Sequence, residues 1–493
     1  MTMTPANNGA DSTGVYAPFK ALWHLEEIGV LENLNDFNSS AWDDAHTRIV
    51  EGNAPATRVA LIDTSVDDEH PNLKNTIAKD LGVDFFSHKL GLPILENKGD
   101  SRLGKIVKKG EVDWPEHLPD DARKFWEDMI EHLDQHFEKS SPEKDHSSKV
   151  KPATSKNFSA HGTAMAGLIG AQPVTPADSN IKMVVNPDAE GTLGLAYAGV
   201  DPFCEIIPIS TNFNPEPQQL ILTMLYSVLV EADLIVLARD FPKPVSLVLQ
   251  ACYDSEDDKR QKLSEALGVG LRKEEMEEWD LLEELVIAVS TKIPVLCAAG
   301  NGGDDLVLFP ASLARNHHGI IAVGARTAAG QRSAFTPESN DVTVYGPSGD
   351  GERLDKRMQR IDTVAVGYRA GEQSSCYSGK LHTYPHENPP DEHSFAPQEL
   401  ISTDVPGRAG YNSSPFAKAK GKEDKYLDYR SCFCRFSGTS GAVAVAAGLV
   451  SLAISAGKVT AGNVSEIREK LTGNAPAKYK TAEPAIAWKN FTQ

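Results

Sequence analysis

Four short, widely separated stretches of the chain each present a side chain with useful chemistry. In VALIDTSVDDEHPNL (59–73) an apolar β-rich run ends on Asp63, at the C-terminal edge where open α/β sheets carry their sites. In SAHGTAMAGLIG (159–170) His161 stands before Gly162 and Thr163 at the start of a small-residue helix. The positive end of a helix disfavours a permanent imidazolium, so such a ring stays able to accept a proton. In VLCAAGNGG (295–303) a strand runs out into Asn301 between glycines, where the amide can donate to an oxyanion. In RFSGTSGAVAVAAGLVSLAI (435–454) Ser440 follows Gly438 and Thr439 at a helix start, whose first N–H groups lack helical partners and favour negative charge. Singly, each has an ordinary reading: Asp63 and Asn301 as turn residues, His161 as a core histidine, Ser440 as a helix cap. Together they set a hydroxyl, an imidazole, a carboxylate and a side-chain amide at strand ends and helix starts, groups that acyl-transfer chemistry employs.

The elements that must position these groups are legible as apolar runs alternating with helical patterns. RVALI (58–62), EIIPI (205–209), ADLIVL (232–237), IPVLCAA (293–299) and GIIAV (319–323) read as strands buried on both faces, hence parallel. Helices are predicted near 162–171, 217–231 and 274–290, the last two with apolar residues every three to four positions. The fold class is therefore α/β, with helices covering a mainly parallel sheet. Three stretches interrupt the pattern and read as insertions: 88–157, rich in charge and proline; an acidic segment at 253–284; and 348–432, rich in Gly, Pro and Ser. No internal repeat or interdomain linker divides the chain.

Composition narrows the function classes. Across 493 residues, 40% are apolar and 24% charged, the balance of a folded water-soluble protein. Acidic residues outnumber basic ones by 69 to 49, and no Lys/Arg-rich face appears, which argues against nucleic acid as a partner. The first thirty residues lack the basic start and apolar core of a secretory signal, and the run from Ala442 to Ile454 is short for a membrane span. The expectation is a cytoplasmic protein without a membrane anchor. Cys204, Cys252, Cys297, Cys376, Cys432 and Cys434 are too scattered for a disulfide framework, and Cys432 with Cys434 lacks a partner pair for zinc, so free thiols are expected. No motif names a metal ligand.

The conjunction of DTSV with HPNL, HGT before a small-residue helix, AAGN, and GTS with a downstream AAG resembles the subtilase family (subtilisin-like serine proteases, peptidase S8). The motifs stand in that family's order, Asp then His then Ser, which differs from the orders of chymotrypsin-like and α/β-hydrolase enzymes. AGVDPFCEIIPI (198–209), FPAS (309–312), GIIAVGA, GQRSAF and NVSEIREKL (463–471) are similar to further family segments. The likeness spans 20–475 apart from the three insertions, leaving 1–19 as a flexible N-terminus and 476–493 as a C-terminal tail.

The resemblance implies a subtilisin-like three-layer fold with helices on both faces of the sheet, and a serine endopeptidase. Asp63 would orient His161, His161 would take the proton of Ser440, and Asn301 with the Ser440 amide would hold the oxyanion. The substrate would be a polypeptide bound as an added strand. No cofactor is needed for the chemistry, although subtilase-like folds often carry structural calcium. In the family a strand end reading Ser-Leu-Gly forms one wall of the cleft; here Ala238, Arg239 and Asp240 stand there, either selecting substrate charge or lying solvated beside each other. Ala444 replaces a family proline, which removes a kink and no catalytic group. The likeness starts without a prodomain, so the insertions or a regulatory protein partner would restrain activity. A rival reading is a catalytically silent subtilase-fold binding module; an α/β-hydrolase esterase is disfavoured because its acid and histidine would follow the serine.

Overall fold

The computed structural model describes residues 22–32, 39–85, 112, 114–128, 160–173, 197–211, 215–239, 241, 273–303, 305–327, 330, 332–349, 353–354, 394–395, 399–407, 409–411, 432–473 and 484–492. The apolar runs form a seven-stranded parallel sheet: β1 (Arg58–Asp63), β2 (Val83–Asp84), β3 (Glu205–Ser210), β4 (Leu234–Leu237), β5 (Val295–Ala298), β6 (Ile320–Arg326) and β7 (Val344–Pro347), in the order β2-β3-β1-β4-β5-β6-β7. β1 lies between β3 and β4, with Asp63 opposite Ser210 and Ile62 opposite Leu237, so these strands end at one edge.

Strand alternation divides the interior into two cores. Val59 and Leu61 of β1, with Leu296 of β5 and Ile321 and Val323 of β6, face one apolar cluster; Ala60, Ile62, Val295, Cys297 and Ile320 face the other. The first core is closed by α1 (Trp23–Glu27), α2 (Ser40–His46), α3 (Ala160–Gly170) and α6 (Gly438–Ser455), the second by α4 (Pro217–Leu229) and α5 (Lys273–Ser290). This is the three-layer α/β arrangement expected from the sequence, with helices on both faces of a parallel sheet. Beyond the main sheet, β8 (Arg353–Leu354) pairs with β9 (Ser394–Phe395), and β10 (Leu400–Thr403) runs antiparallel to β11 (Phe433–Phe436). α7 (Val464–Thr472) follows α6.

Among the described residues α6 alone is long and apolar enough to cross a membrane, yet 94% of it is buried within the protein, so packing accounts for its composition. Ala442, Ala444, Ala446, Ala447 and Gly448 keep it thin enough to lie inside the first core. Cys204, Cys297 and Cys434 are buried free thiols and Cys432 is a partly buried one; Cys252 and Cys376 lie outside the described residues.

The segments that interrupt the sequence pattern enter the cores where they are described. Trp114, Leu118, Ala122 and Trp126 of the first are buried in the second core, and residues 120–128 are helical. Trp279 and Leu282, at the end of the second, belong to α5. In the third, β10 is fully buried. Much of the rest of these stretches, and residues 1–19, lie outside the described residues. The segment past 475 is no free tail in its described part. Tyr345 of β7 donates from its N–H to Pro484 O and accepts from Ile486 N–H, Trp488 N–H reaches Ile28 O, and Trp488 and Phe491 are buried. Apolar side chains this close to the C-terminus were weak signals because they lack strand or helix periodicity.

A carboxyl lies under the serine-bearing helix. Asp201 is fully buried; Ser451 and Ser455 of α6 donate to its Oδ2 at 2.6 and 2.8 Å, and Phe203 N–H donates to its Oδ1 at 3.1 Å. Burial pushes this carboxyl from 3.8 up to about 6, with the three hydrogen bonds pulling the other way. A raised folded value favours the protonated form, so its contribution to stability is full below the ordinary value and is lost as pH rises through about 6. Relative to Asp201→Asn, wild type should therefore lose on the order of 2 to 3 kcal/mol between pH 4 and pH 7. Chemical denaturation of both proteins across that range checks it, and a pH-independent difference would exclude the role.

Candidate active site

Asp63 ends β1 and is wholly buried, while His161 is the second residue of α3. What joins them is an unusually close approach of helix to strand end. Gly162 N–H donates to Thr64 Oγ1 at 2.9 Å, and a Cβ on Gly162 would stand 2.3 Å from Thr64 O and 2.6 Å from Ser65 O. Only glycine permits that contact, and it delivers the preceding residue, His161, to the carboxylate. Both oxygens of Asp63 lie within hydrogen-bond distance of His161 Nδ1, at 2.8 and 2.9 Å. This leaves Nε2 as the ring nitrogen open to a substrate-side partner. Thr64 N–H donates to Asp63 Oδ1 at 2.6 Å.

A buried, isolated carboxylate is expensive, by several kcal/mol even after relaxation. Burial accordingly raises the Asp63 value on its own, but the charge and hydrogen bond of His161, the Arg239 guanidinium and the Thr64 N–H outweigh it, and the carboxyl is held below its ordinary range. His161 packs edge-on against Phe436, with centroids 5.3 Å apart, and Tyr411 lies 5.9 Å beyond Phe436. These rings shield one side of the imidazole while its side chain stays 13% exposed.

Ser440 sits in the first turn of α6, entered through Gly438 at φ 83°, a left-handed conformation that favours glycine. Its Oγ donates to the carbonyl of Ala238, just past β4, at 3.1 Å. Asn301 follows β5 by way of Gly300 at φ 112°. Thr439 N–H and Thr439 Oγ1 lie 2.8 and 3.1 Å from Asn301 Oδ1. A backbone N–H can only donate, so the oxygen is fixed toward α6 and the Asn301 NH₂ is turned to the other side. A Cβ on Gly438 would approach this amide at 3.3 to 3.4 Å.

The structure thus joins Asp63 to His161, ties Asn301 to the residue beside Ser440, and hangs Ser440 from Ala238 at the end of the strand next to Asp63. Arg239 is not a solvated cleft-edge charge. It is 8% exposed and turns inward, its Nη2 donating to Thr211 Oγ1 at 2.7 Å. Its partner in that expectation, Asp240, lies outside the described residues. Sequence reading missed Thr64 and Thr439 as the groups that orient Asp63 and Asn301; the DT and GT dipeptides were their only trace. It also missed the inward course of Arg239. Among the described residues no three His, Cys, Asp or Glu side chains converge as metal ligands.

The parallel α/β sheet carries serine, histidine and aspartate side chains at the C-terminal edge of its strands, the place where open α/β sheets hold their sites. The family model described as the subtilase family matches residues 55–487, and the chain belongs to that family. It is a subtilisin-like serine peptidase. A search of curated proteins gave no match. Among solved structures, the chain is similar to the epidermin leader peptide processing serine protease EpiP from Staphylococcus aureus, with 14% identity and a TM-score of 0.48 over 98% of this chain and 82% of that one. It is also similar to the nisin leader peptidase NisP from Lactococcus lactis, with 14% identity and a TM-score of 0.47 over 96% and 93% of the two chains. For fervidolysin from Fervidobacterium pennivorans the values are 14% and 0.46, over 99% of this chain and 48% of that one.

Proposed function

We propose that the protein is a serine endopeptidase that hydrolyses peptide bonds through an acyl-enzyme, with Ser440 as nucleophile, His161 as general base and acid, and Asp63 as the group that orients His161. The observation that carries this reading is the Asp63 carboxylate on His161 Nδ1, which fixes the tautomer with Nε2 unprotonated and available. Ser440 Oγ exchanges its bond to Ala238 O for one to Nε2 by a side-chain rotation. It attacks the scissile carbonyl as the imidazole takes its proton. His161, then cationic beside the Asp63 anion, returns the proton to the leaving amine. Water repeats the sequence in reverse and frees the acid.

The oxyanion is received by the Asn301 NH₂ and the Ser440 N–H. Asn301 is suited to this because its oxygen is already committed to Thr439, so the amide needs no reorientation as charge develops. Asn301→Ala should lower kcat by about 10² to 10³-fold with little change in KM, since the contact forms only in the transition state. Equal loss in KM and none in kcat would reassign Asn301 to ground-state binding.

A polypeptide is the proposed substrate, laid as an added strand beside the segment that follows β4. The experiment for the function as a whole is incubation of the chain with a peptide library and with simple esters, followed by mass spectrometry of the products. Internal cleavage of peptides is expected. Ester hydrolysis alone, or no labelling by a fluorophosphonate, would overturn the reading in favour of an esterase or a silent binding module respectively.

A further inference from the structure

We propose that Arg239 is a positioning residue of the active site, a fixed cation behind the acid that keeps Asp63 ionised whether His161 is neutral or protonated and that, by its own charge, disfavours the imidazolium and so lowers the pH at which His161 begins to act as base. The proposal rests on the triad reading above, and its primary observation is topological. Arg239 leaves the end of β4, and its Nη2 reaches Thr211, one residue beyond β3. β1 lies between those two strands. A side chain running from the end of β4 to the end of β3 must cross the end of β1, where Asp63 stands. The far anchor is itself tied to that point, since Thr211 N–H donates to the Asp63 carbonyl at 2.8 Å. Arg239 is moreover only 8% exposed, which withdraws its charge from a substrate in the cleft.

The need for such a charge follows from the reaction. Asp63 is fully buried, and its imidazole partner alternates between neutral and cationic within each turnover. In the neutral state His161 offers the carboxylate a hydrogen bond and no net charge. Arg239 keeps its proton across the working range of any enzyme, so it supplies compensation that does not vary with the step. The other titratable groups around Asp63 and His161 do not provide it. Asp67 and His70 stand on the loop after β1, Asp404 and Tyr411 on the segment after β10, and Cys432 and Cys434 on the approach to β11 and in it. These are acidic or neutral groups: His70 is kept neutral by burial, with Asn72 N–H donating to its Nδ1 and its Nε2 on Cys432 O. Among the described residues the cations acting on Asp63 are His161 and Arg239.

A cation near a histidine disfavours its protonated form, so removing the cation raises the pH at which His161 loses its proton. In Arg239→Gln, which removes the charge and keeps a polar amide, the acid limb of kcat/KM should move up by about one pH unit. The same displacement should appear for neutral, acidic and basic peptides. Arg239→Lys, which keeps the charge, should hold the wild-type limb. The imidazole titration of His161 in the resting enzyme, followed by NMR and assigned by its loss in His161→Ala, should shift in parallel, and Arg239→Met serves as a second neutral variant should the Gln variant not fold. An unmoved limb and titration in the neutral variants overturns the proposal. So does an effect confined to KM for acidic peptides, which would make Arg239 a substrate contact. A Lys variant shifted as far as the Gln variant would assign the effect to shape and overturn it as well. A wild-type enzyme that neither cleaves peptides nor labels with fluorophosphonate sinks the triad reading instead, and the resting titration then still decides the role of Arg239.

Discussion

Ser440→Ala should abolish fluorophosphonate labelling and lower kcat on a cleavable peptide by about 10⁶-fold, the loss measured when the serine is removed from subtilisin, the paradigm of this family. The size follows from the step that disappears: without the oxygen no acyl-enzyme forms, and only substrate binding and the oxyanion donors remain to act on a water. Those donors, the Asn301 amide and the backbone N–H at position 440, survive the substitution, so a residual rate above the uncatalysed one is expected. The fold should survive as well. Among the described residues Ser440 Oγ bonds to Ala238 O, and a net loss of about 1 kcal/mol is the usual cost of such a bond. Alanine is already the dominant residue of α6, so the helix accommodates it. Thermal unfolding within a few degrees of wild type, alongside the kinetic collapse, separates chemistry from stability. A drop of only tenfold, or labelling that persists, would place the nucleophile elsewhere.

The sheet was legible because its strands are buried on both faces and therefore read as unbroken apolar runs, and the boundaries of β1 and β3 fall within one residue of their sequence reading. β2 and β7 escaped notice because two to four residues cannot establish a period, and β10 and β11 because they lie at opposite ends of a Gly- and Ser-rich stretch and find each other only in three dimensions. Asp63, His161, Asn301 and Ser440 were legible for a different reason. Each follows a strand end or opens a helix beside small residues whose presence has no packing explanation in one dimension. Gly162 and Gly438 show the cause: one lets a helix touch the backbone just past β1, the other lets the chain turn against Asn301. The direction of a long side chain leaves no such mark. Arg239 occupies a strand end from which it could face the cleft or cross the sheet edge, and the choice depends on Thr211, twenty-eight residues away. The sequence leaves it as a charge that selects substrate or one that lies solvated beside Asp240, and at 8% exposure it is not the solvated charge.

His161→Ala should match the serine variant in kcat, again with a loss of about 10⁶-fold, and the double substitution with Ser440→Ala should cost no more than either alone. The reason is that the two groups act on one proton. A serine with no base cannot attack, and a base with no serine has no nucleophile to activate, so the second loss removes nothing that the first left working. Additive losses in the double variant would instead mean two independent catalytic routes. His161→Ala carries a second signature that Ser440→Ala does not, because it strips Asp63 of its imidazole partner while leaving the carboxylate buried. The folded Asp63 value lies below its ordinary one, so its stabilising contribution is present above the carboxylate range and is lost as pH falls through the folded value. Without the charge and hydrogen bond of His161 that depression is relieved, and burial pushes the other way. The stability deficit of His161→Ala should accordingly be on the order of 1 to 3 kcal/mol near pH 6, smaller than for a fully broken buried pair because Arg239 and the Thr64 N–H remain. It should shrink as the pH is lowered toward 3, where the unpaired carboxyl of the variant takes up a proton before that of wild type. Denaturant titrations at the two pH values read this directly, and a deficit that grows toward acid would show that Asp63 is not the buried anion on which the geometry of the site depends.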